Sequence, residues 1–141
     1  PRVVKIEVQV DDQYFNTYWG DGMIVATPTG STAYSLSAVG PILLPTMESM
    51  ILNPICPHTL TARPMVLPAY SEVKMRILSA GEAGFVTVDG QVNIALDSET
   101  IVTVKRGDYC VNTVTFPDQS FFDVLRQKLQ WGSRTPNKIQ N

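Results

Sequence analysis

The sequence predicts a mainly β domain, built as a β-sandwich or a distorted barrel, with two short helical segments. Apolar residues alternate with polar ones between Val4 and Val10, which is typical of a half-buried strand. Between residues 73 and 116, short β-prone segments follow one another at close spacing with turn residues between them, as in sandwiches and barrels. Helices are predicted for residues 33–38 and for a stretch near the C-terminus.

The first quarter of the chain predicts three strands. Residues 11–13 form a turn, which makes residues 14–19 the hairpin partner of residues 4–10. An acidic turn at residues 20–22 then leads into a short apolar run, residues 23–26, which we expect to be a buried strand.

The middle of the chain is apolar but interrupted by prolines. Residues 48–51 are predicted to form a helical turn, and Pro64 and Pro68 enclose a short strand. Further strands are predicted at residues 73–77, 85–88, 91–95, 100–105 and 109–116, with turns at 80–84, 89–90, 97–99 and 106–108.

The C-terminal region changes character and predicts an amphipathic helix. Its start follows Pro117, and either Asp118 or Ser120 is able to cap it. Its apolar residues fall at helical spacing: Phe121, Phe122, Leu125 and Leu129. Residues 133–141 have little to bury and are expected to form a tail.

The length, composition and charge of the chain limit the classes of function that it can have. The chain has 141 residues, enough for one domain with its own core, and a hydrophobic content of 44%. Its net charge of −2 argues against nucleic-acid binding, and no apolar run approaches the length of a membrane span. Cys56 and Cys110 lack metal-ligand spacing and are expected to be reduced thiols in a cytoplasmic protein. Because the chain opens without Met or a signal-like segment, we expect it to be a piece of a longer protein.

Within the first half of the chain, the polar residues that could bind a ligand lie mainly in one stretch, residues 20–41. A turn rich in hydroxyls, residues 27–32, precedes the helix predicted at 33–38, which Gly40 and Pro41 are expected to stop. A glycine-containing turn before a helix presents free amide N–H groups, which favour an anion. The same residues also fit a Ser/Thr-rich N-cap with no ligand, and the turn lacks the Lys of a Walker loop.

His58, the single histidine, is expected to be structural or surface-exposed.

The order of the residues in this stretch is more informative about function than its amino-acid composition. The strings GDG at 20–22 and TPTGSTAY at 27–34 resemble the signature of NAD kinases. The later strings PICPHTL at 54–60, VDGQ at 88–91 and LRQKLQWG at 125–132 are also similar to that family. The resemblance extends from about residue 3 to residue 132.

The resemblance implies that residues 1–132 are the C-terminal, NAD-binding β domain of an NAD kinase, followed by a tail at 133–141. Such an enzyme phosphorylates the 2′-hydroxyl of the adenosine ribose of NAD, with ATP or polyphosphate as donor and a divalent metal such as Mg²⁺. The family's N-terminal domain carries a GGDG loop with the catalytic Asp and an Asn-Glu pair, and neither motif occurs here. We therefore expect no catalytic residue in this chain, no tightly bound cofactor and no activity of the chain alone. The family also implies a homo-oligomer, a dimer or tetramer formed through the β domain.

The resemblance also assigns site residues. Asp21 is expected at the nicotinamide-side carboxamide or ribose, Tyr34 beside the adenine and Ser37 near the nicotinamide ribose. The residues assigned to NAD binding are Asp21, Thr32, Ala33, Tyr34, Ser37 and Gln91. Four more are possible contacts: Trp19, Thr29, Ser31 and Asp89. No metal ligand is assigned.

Two other functions remain open from the sequence. Lipid or diacylglycerol kinases share the two-domain design, although the TPTGSTAY string favours NAD and a lipid substrate calls for a more apolar pocket edge. A β-sandwich that acts mainly in subunit assembly is the other alternative, and a size that depends sharply on dilution would distinguish it from a ligand-binding domain.

Overall fold

The computed structural model describes residues 3–78, 84–114, 116–117 and 120–132. The chain divides into two compact units, Pro1–Gly107 and Asp108–Asn141. The strands are β1 (Val4–Val10), β2 (Gln13–Gly20), β3 (Gly22–Ala26), β4 (Ser49–Ile55), β5 (Met65–Pro68), β6 (Val73–Ile77), β7 (Gly84–Val88), β8 (Val92–Leu96) and β9 (Val102–Val104). A 3-10 turn at Thr29–Thr32 precedes helix α1 (Tyr34–Ser37), and the second unit contains helix α2 (Phe121–Leu129). The prediction of a mainly β chain with a short central helix and a C-terminal helix is confirmed.

The first sheet is antiparallel and has the strand order β2-β1-β6-β9. The predicted hairpin of β1 and β2 is confirmed, with Val4 opposite Gly20 and a bulge between Val8 and Gln9. The other edge of β1 pairs with β6, so that Val8 lies opposite Met75. Strand β1 is therefore an inner strand of this sheet, and Val8 near its middle is fully buried in the core cluster.

The second sheet has the order β3-β4-β5, and it overturns one prediction. Residues 48–51 do not form a helical turn, since residues 49–55 are strand β4 at the centre of this sheet. Ile51 lies opposite Ala26 on one side and Val66 on the other. Met50, Ile51 and Leu52 follow one another with no polar residue between them, as in a strand that is buried on both faces, and periodicity alone cannot distinguish such a run from a helical segment.

The core lies between these two sheets. Val8, Tyr18 and Val73 from the first sheet form one buried cluster with Met50 and Leu52 from β4. Successive side chains of a strand point to opposite faces, so Ile51 and Asn53 lie on the other face of β4. Both are also buried, Asn53 by contact with α1, and strand β4 is therefore covered on both faces.

Strands β7 and β8 form a separate hairpin. Asp89 and Gly90 both have positive φ, 50° and 72°, which is the geometry of the predicted Asp-Gly hairpin turn. The turn predicted at 80–84 falls mostly outside the described residues. The strand predicted at 109–116 is wrong where it can be compared, because residues 109–114 are not in a strand.

Helix α2 begins as predicted, with Ser120 as its N-cap. The backbone N–H of Asp123 donates to Ser120 Oγ at 3.2 Å, and the Ser120 backbone N–H donates to Asp123 Oδ2 at 3.1 Å. This reciprocal pair is a capping box, which satisfies two amides that a helix start leaves without partners. Asp118, the alternative cap, and the tail at 133–141 lie outside the described residues.

The capping box predicts a pH dependence of α2. The hydrogen bond from the Ser120 hydroxyl to Asp123, followed by that from the Ser120 backbone, lowers the pKa of the Asp123 carboxyl below its usual 3.8. A lowered pKa in the helix means that the stabilisation is complete at pH above the ordinary value and is lost as pH falls through the lowered one. We expect carbon chemical shifts of residues 121–125 to lose helical character on acidification. In Asp123→Asn this acid transition should be absent, and an identical transition in the variant would contradict the assignment.

Candidate functional site

The acidic turn between β2 and β3 is held against the segment that follows β4. The Asp21 backbone N–H donates to the carbonyl of Ile55 at 3.0 Å, and the His58 backbone N–H donates to the carbonyl of Trp19 at 2.8 Å. Gly20 is buried there, and a Cβ at this position would lie 2.7 Å from the Ile55 oxygen. The backbone of the turn is thereby fixed, while the Asp21 side chain is exposed to solvent.

The turn at residues 27–32 is closed by its own hydrogen bonds. The backbone N–H of Gly30 donates to Thr27 Oγ1 at 3.1 Å, that of Ser31 to the Pro28 carbonyl at 3.2 Å and that of Ala33 to the Gly30 carbonyl at 3.0 Å. The prediction of free amides is therefore wrong for these three groups. Helix α1 has only four residues, so any ligand contact here must depend on side chains and on the exposed rim of the turn.

Ser31 is placed differently from the other hydroxyls of this turn. Its side chain is fully buried, and Ser31 Oγ accepts the backbone N–H of Leu43 at 3.0 Å. Thr29 and Thr32 are exposed, with Thr32 Oγ1 donating to the Thr29 carbonyl at 3.3 Å. Ser31 therefore fastens the turn to residue 43 rather than offering its hydroxyl to solvent.

Helix α1 presents several of the predicted residues to solvent. Ala33, Tyr34 and Ser37 are exposed, and Tyr34 keeps 62% of its surface accessible. The left-handed residue that follows the helix is Val39, with φ 62°, rather than Gly40. Gly40 has a different role, since it packs so closely on the helix that a Cβ would lie 2.3 Å from Ser35 Oγ.

Asn53 is a polar residue of this region that the sequence analysis did not single out. Its side chain is 1% exposed, and its Nδ2 donates to Ser35 O at 3.1 Å, Ala38 O at 3.2 Å and Ser35 Oγ at 3.3 Å. An asparagine within an otherwise apolar run is the signal in the sequence, because a buried amide requires partners. Strand β4 thus holds α1 through Asn53 and the acidic turn through Ile55.

The remaining predicted residues lie elsewhere. Asp89 and Gln91 are exposed at the tip of the β7–β8 hairpin, where the Gln91 backbone N–H donates to the Val88 carbonyl at 3.0 Å. They belong to a different sheet from the acidic turn. Trp19 is half exposed at the end of β2, with Lys5 Nζ 5.1 Å from its ring centroid, a cation–π distance.

Within the described ranges, no cluster of three His, Cys, Asp or Glu side chains is arranged to bind a metal ion. Helices with the length and apolar character of a membrane span are likewise absent from those ranges. Cys56 and Cys110 are both exposed free thiols.

Comparison with known proteins identifies relatives that match nearly the whole chain. NAD kinase of Geobacter metallireducens is 47% identical over 133 residues, which are 94% of this chain and 47% of that protein. NAD kinase of Gemmatimonas aurantiaca is 49% identical over 131 residues, or 93% of this chain and 45% of that protein. The chain therefore spans about half the length of these relatives.

Solved structures give the same result. An NAD kinase from Archaeoglobus fulgidus in complex with ATP is 29% identical with a TM-score of 0.68, over 77% of this chain and 41% of that one. A yeast NADH kinase complexed with NADH is 32% identical with a TM-score of 0.62, over 74% and 31%. The sequence profile of the ATP-NAD kinase C-terminal domain matches residues 1–116. The chain belongs to the ATP-NAD kinase C-terminal domain family.

Proposed function

We propose that this chain is the NAD-binding domain of an NAD kinase, an enzyme that transfers a phosphoryl group to the 2′-hydroxyl of the adenosine ribose of NAD to give NADP. The observation that carries the proposal is the family match over residues 1–116, together with relatives named NAD kinase at up to 49% identity. The same relatives favour this function over a lipid or diacylglycerol kinase. ATP is the proposed donor, since a neighbour with the same fold was crystallised with ATP. Polyphosphate is the alternative donor.

The proposed NAD contacts are exposed side chains on backbone that the fold fixes. Asp21 offers a carboxylate acceptor from a turn pinned to Ile55, and Tyr34 offers a ring from α1. The other contacts are Thr32, Ala33, Ser37 and Gln91, with Trp19, Thr29 and Asp89 as further candidates. The Ser31 hydroxyl is buried and accepts the backbone N–H of Leu43. We therefore propose that Ser31 holds the turn in place and does not contact NAD.

The reaction divides between this chain and a preceding half. Phosphoryl transfer requires a positioned hydroxyl, a base for its proton and charge neutralisation at the phosphates, which a divalent metal such as Mg²⁺ supplies. The family's GGDG motif, which carries the catalytic Asp, does not occur in this sequence, so the base is assigned to the part of an NAD kinase that this chain does not span. This chain then contributes by binding and orienting NAD, which raises the effective concentration of its hydroxyl at the donor. The proposed domain limits are residues 1–132, with a tail at 133–141.

A chimera tests the proposed function. The preceding half of the Geobacter metallireducens protein would be fused to residue 1 of this chain, and NADP formation from NAD and ATP would be measured. We expect activity in the chimera and none in the 141-residue chain alone. An active isolated chain would refute the assignment of the base to the other half. A folded chimera without activity, beside an active Geobacter enzyme, would refute the function itself.

Asp21→Asn tests the binding site in the chain alone. A hydrogen bond to a charged group contributes about 1.5–3 kcal/mol, so we expect the Kd for NAD to rise roughly 10- to 150-fold. Calorimetric titration with NAD measures this change. Asp108→Asn, at an exposed aspartate of the other unit, should leave the Kd unchanged. Equal affinities for wild type and Asp21→Asn would remove Asp21 from the site.

Assembly and location are further parts of the proposal. We assign the protein to the cytoplasm and to a dimer or tetramer formed through the β domain. Support for assembly comes from the aliphatic face of the β7–β8 hairpin, where Val88, Val92 and Ile94 each expose about half of their surface (48%, 53% and 52%). Light scattering over a dilution series measures the oligomeric state, and a monomer at every concentration would refute it.

A further inference from the structure

Asn53 is the link between β4 and helix α1. Its side chain is 1% exposed and lies on the face of β4 opposite the core residues Met50 and Leu52. Its amide nitrogen has three acceptors within 3.3 Å: Ser35 O, Ala38 O and Ser35 Oγ. The acceptor atom of the same amide, Asn53 Oδ1, is buried without a partner in the described part of the chain. The NH₂ group alone therefore makes the connection.

Helix α1 needs such a connection because of its length. It has four residues, whereas isolated helices shorter than about 12–15 residues are marginal in water. The carbonyls of a last helical turn lack partners within the helix, and Asn53 supplies donors to two of them. The Gly40 backbone N–H adds a donor to the Ser35 carbonyl at 2.8 Å. The position of α1 therefore depends on contacts from β4 and residue 40.

The same strand fixes the other part of the proposed site. Two residues after Asn53, the Ile55 carbonyl accepts the backbone N–H of Asp21. A strand advances about 3.3 Å per residue, so these two anchoring points are about 7 Å apart along one rigid element. The spacing between α1 and the acidic turn is thus set by β4.

We infer that Asn53 is a positioning residue for dinucleotide binding: through its hydrogen bonds to Ser35 and Ala38, it holds Tyr34 and Ser37 at a fixed distance from Asp21. The inference rests on the proposed function, since the ligand contacts of Tyr34 and Ser37 belong to it. Asn53 itself is buried beneath α1 and acts through the helix. Its removal should release α1 locally while the two-sheet core persists.

Two substitutions isolate the NH₂ group. Asn53→Asp keeps the shape of the side chain but replaces the donor with an oxygen that faces two carbonyls, and Asn53→Leu keeps a similar volume without any polar atom. Ser49→Ala is the matched control, because Ser49 Oγ is also buried on β4 but has no partner in the described residues. Removal of an unsatisfied hydroxyl is expected to be neutral or stabilising.

The test measures amide hydrogen exchange and NAD affinity on the full 141-residue chain. In both Asn53 variants, we expect exchange at the amides of Leu36, Ala38 and Gly40 to accelerate at least tenfold while Val8 and Ile51 change little. The Kd for NAD should rise at least tenfold in the same variants, and Ser49→Ala should match wild type in both measurements.

Three results would overturn the inference. Uniform acceleration at α1 and in the core would show that Asn53 supports general stability. Local release of α1 with an unchanged Kd for NAD would show that α1 does not carry the ligand contacts, with NAD binding itself intact. No NAD binding by the wild-type chain, in a sample whose exchange pattern is that of a folded protein, would refute the proposed NAD site and the inference with it.

Discussion

Gly40→Ala should destabilise the first unit by about 2–5 kcal/mol, because the added methyl group has no space. Its Cβ would lie 2.3 Å from Ser35 Oγ, 2.7 Å from Ser35 O and 2.8 Å from Asn53 Nδ2. Overpacking costs about 1–3 kcal/mol, and the hydrogen bonds of Asn53 that are then displaced contribute about 0.5–1.5 kcal/mol each. Since one of the neighbouring atoms is backbone and Asn53 is buried, the strain cannot be relieved by rotating an exposed side chain.

Chemical denaturation in a Trp131→Phe background measures this loss. Trp19 is then the single tryptophan, and its fluorescence reports on the Pro1–Gly107 unit alone. Gly30→Ala is the matched control, because a Cβ there would have ordinary contacts, 3.4 Å to Thr27 Oγ1 and 3.7 Å to Ala26 Cβ. If the two variants lost the same free energy of unfolding, the close packing described at Gly40 would be wrong.

Leu52→Ala should cost about 2–5 kcal/mol by opening a cavity between the two sheets. Leu52 is 1% exposed and belongs to the cluster that joins β4 to Val8, Tyr18 and Val73. Strand β4 is paired on both sides near this point, so the backbone cannot easily move to fill the space. Most of the lost transfer and packing energy should therefore appear in the free energy of unfolding.

Leu60→Ala removes the same atoms from a side chain that is 91% exposed. A surface change of this kind stays within about 0.5 kcal/mol, so the same fluorescence assay should separate the two variants clearly. A loss below about 1 kcal/mol for Leu52→Ala would mean that the sheets do not pack through β4 as described.

The elements that were predicted correctly from the sequence have a signal in residues next to one another in the chain. In β1, alternation of apolar and polar residues encodes a strand with one buried face, and the Asp-Gly pair at 89–90 encodes a hairpin turn. Strand β4 lacks such an alternation, because both of its faces are buried and Met50, Ile51 and Leu52 follow one another directly. Its assignment depends on pairing with β3 and β5, in which the partners of Ile51 are Ala26 and Val66, so reasoning from neighbouring residues predicted a helical turn instead.

The candidate site shows the same division between local and non-local information. The strings at 20–22 and 27–34 indicated this region by resemblance, and the side chains of Asp21 and Tyr34 are exposed there. That Ser31 would be buried on Leu43 could not be read from its neighbours, since its partner lies 12 residues away. The contact of Asn53 with Ser35 joins residues 18 apart and is equally invisible to spacing rules.

The pairing of β1 with β6 affects how the chain folds during its synthesis. These strands are joined by contacts between residues about 70 positions apart, such as the ion pair of Glu7 and Arg76 at a separation of 69 residues. During translation, the β1–β2 hairpin leaves the ribosome long before β6 exists. One edge of β1 is then open, and an open edge is where a strand from another nascent chain can add. The first sheet can close only after β6 has emerged, so its folding is slow relative to local structure and most prone to aggregation during that interval.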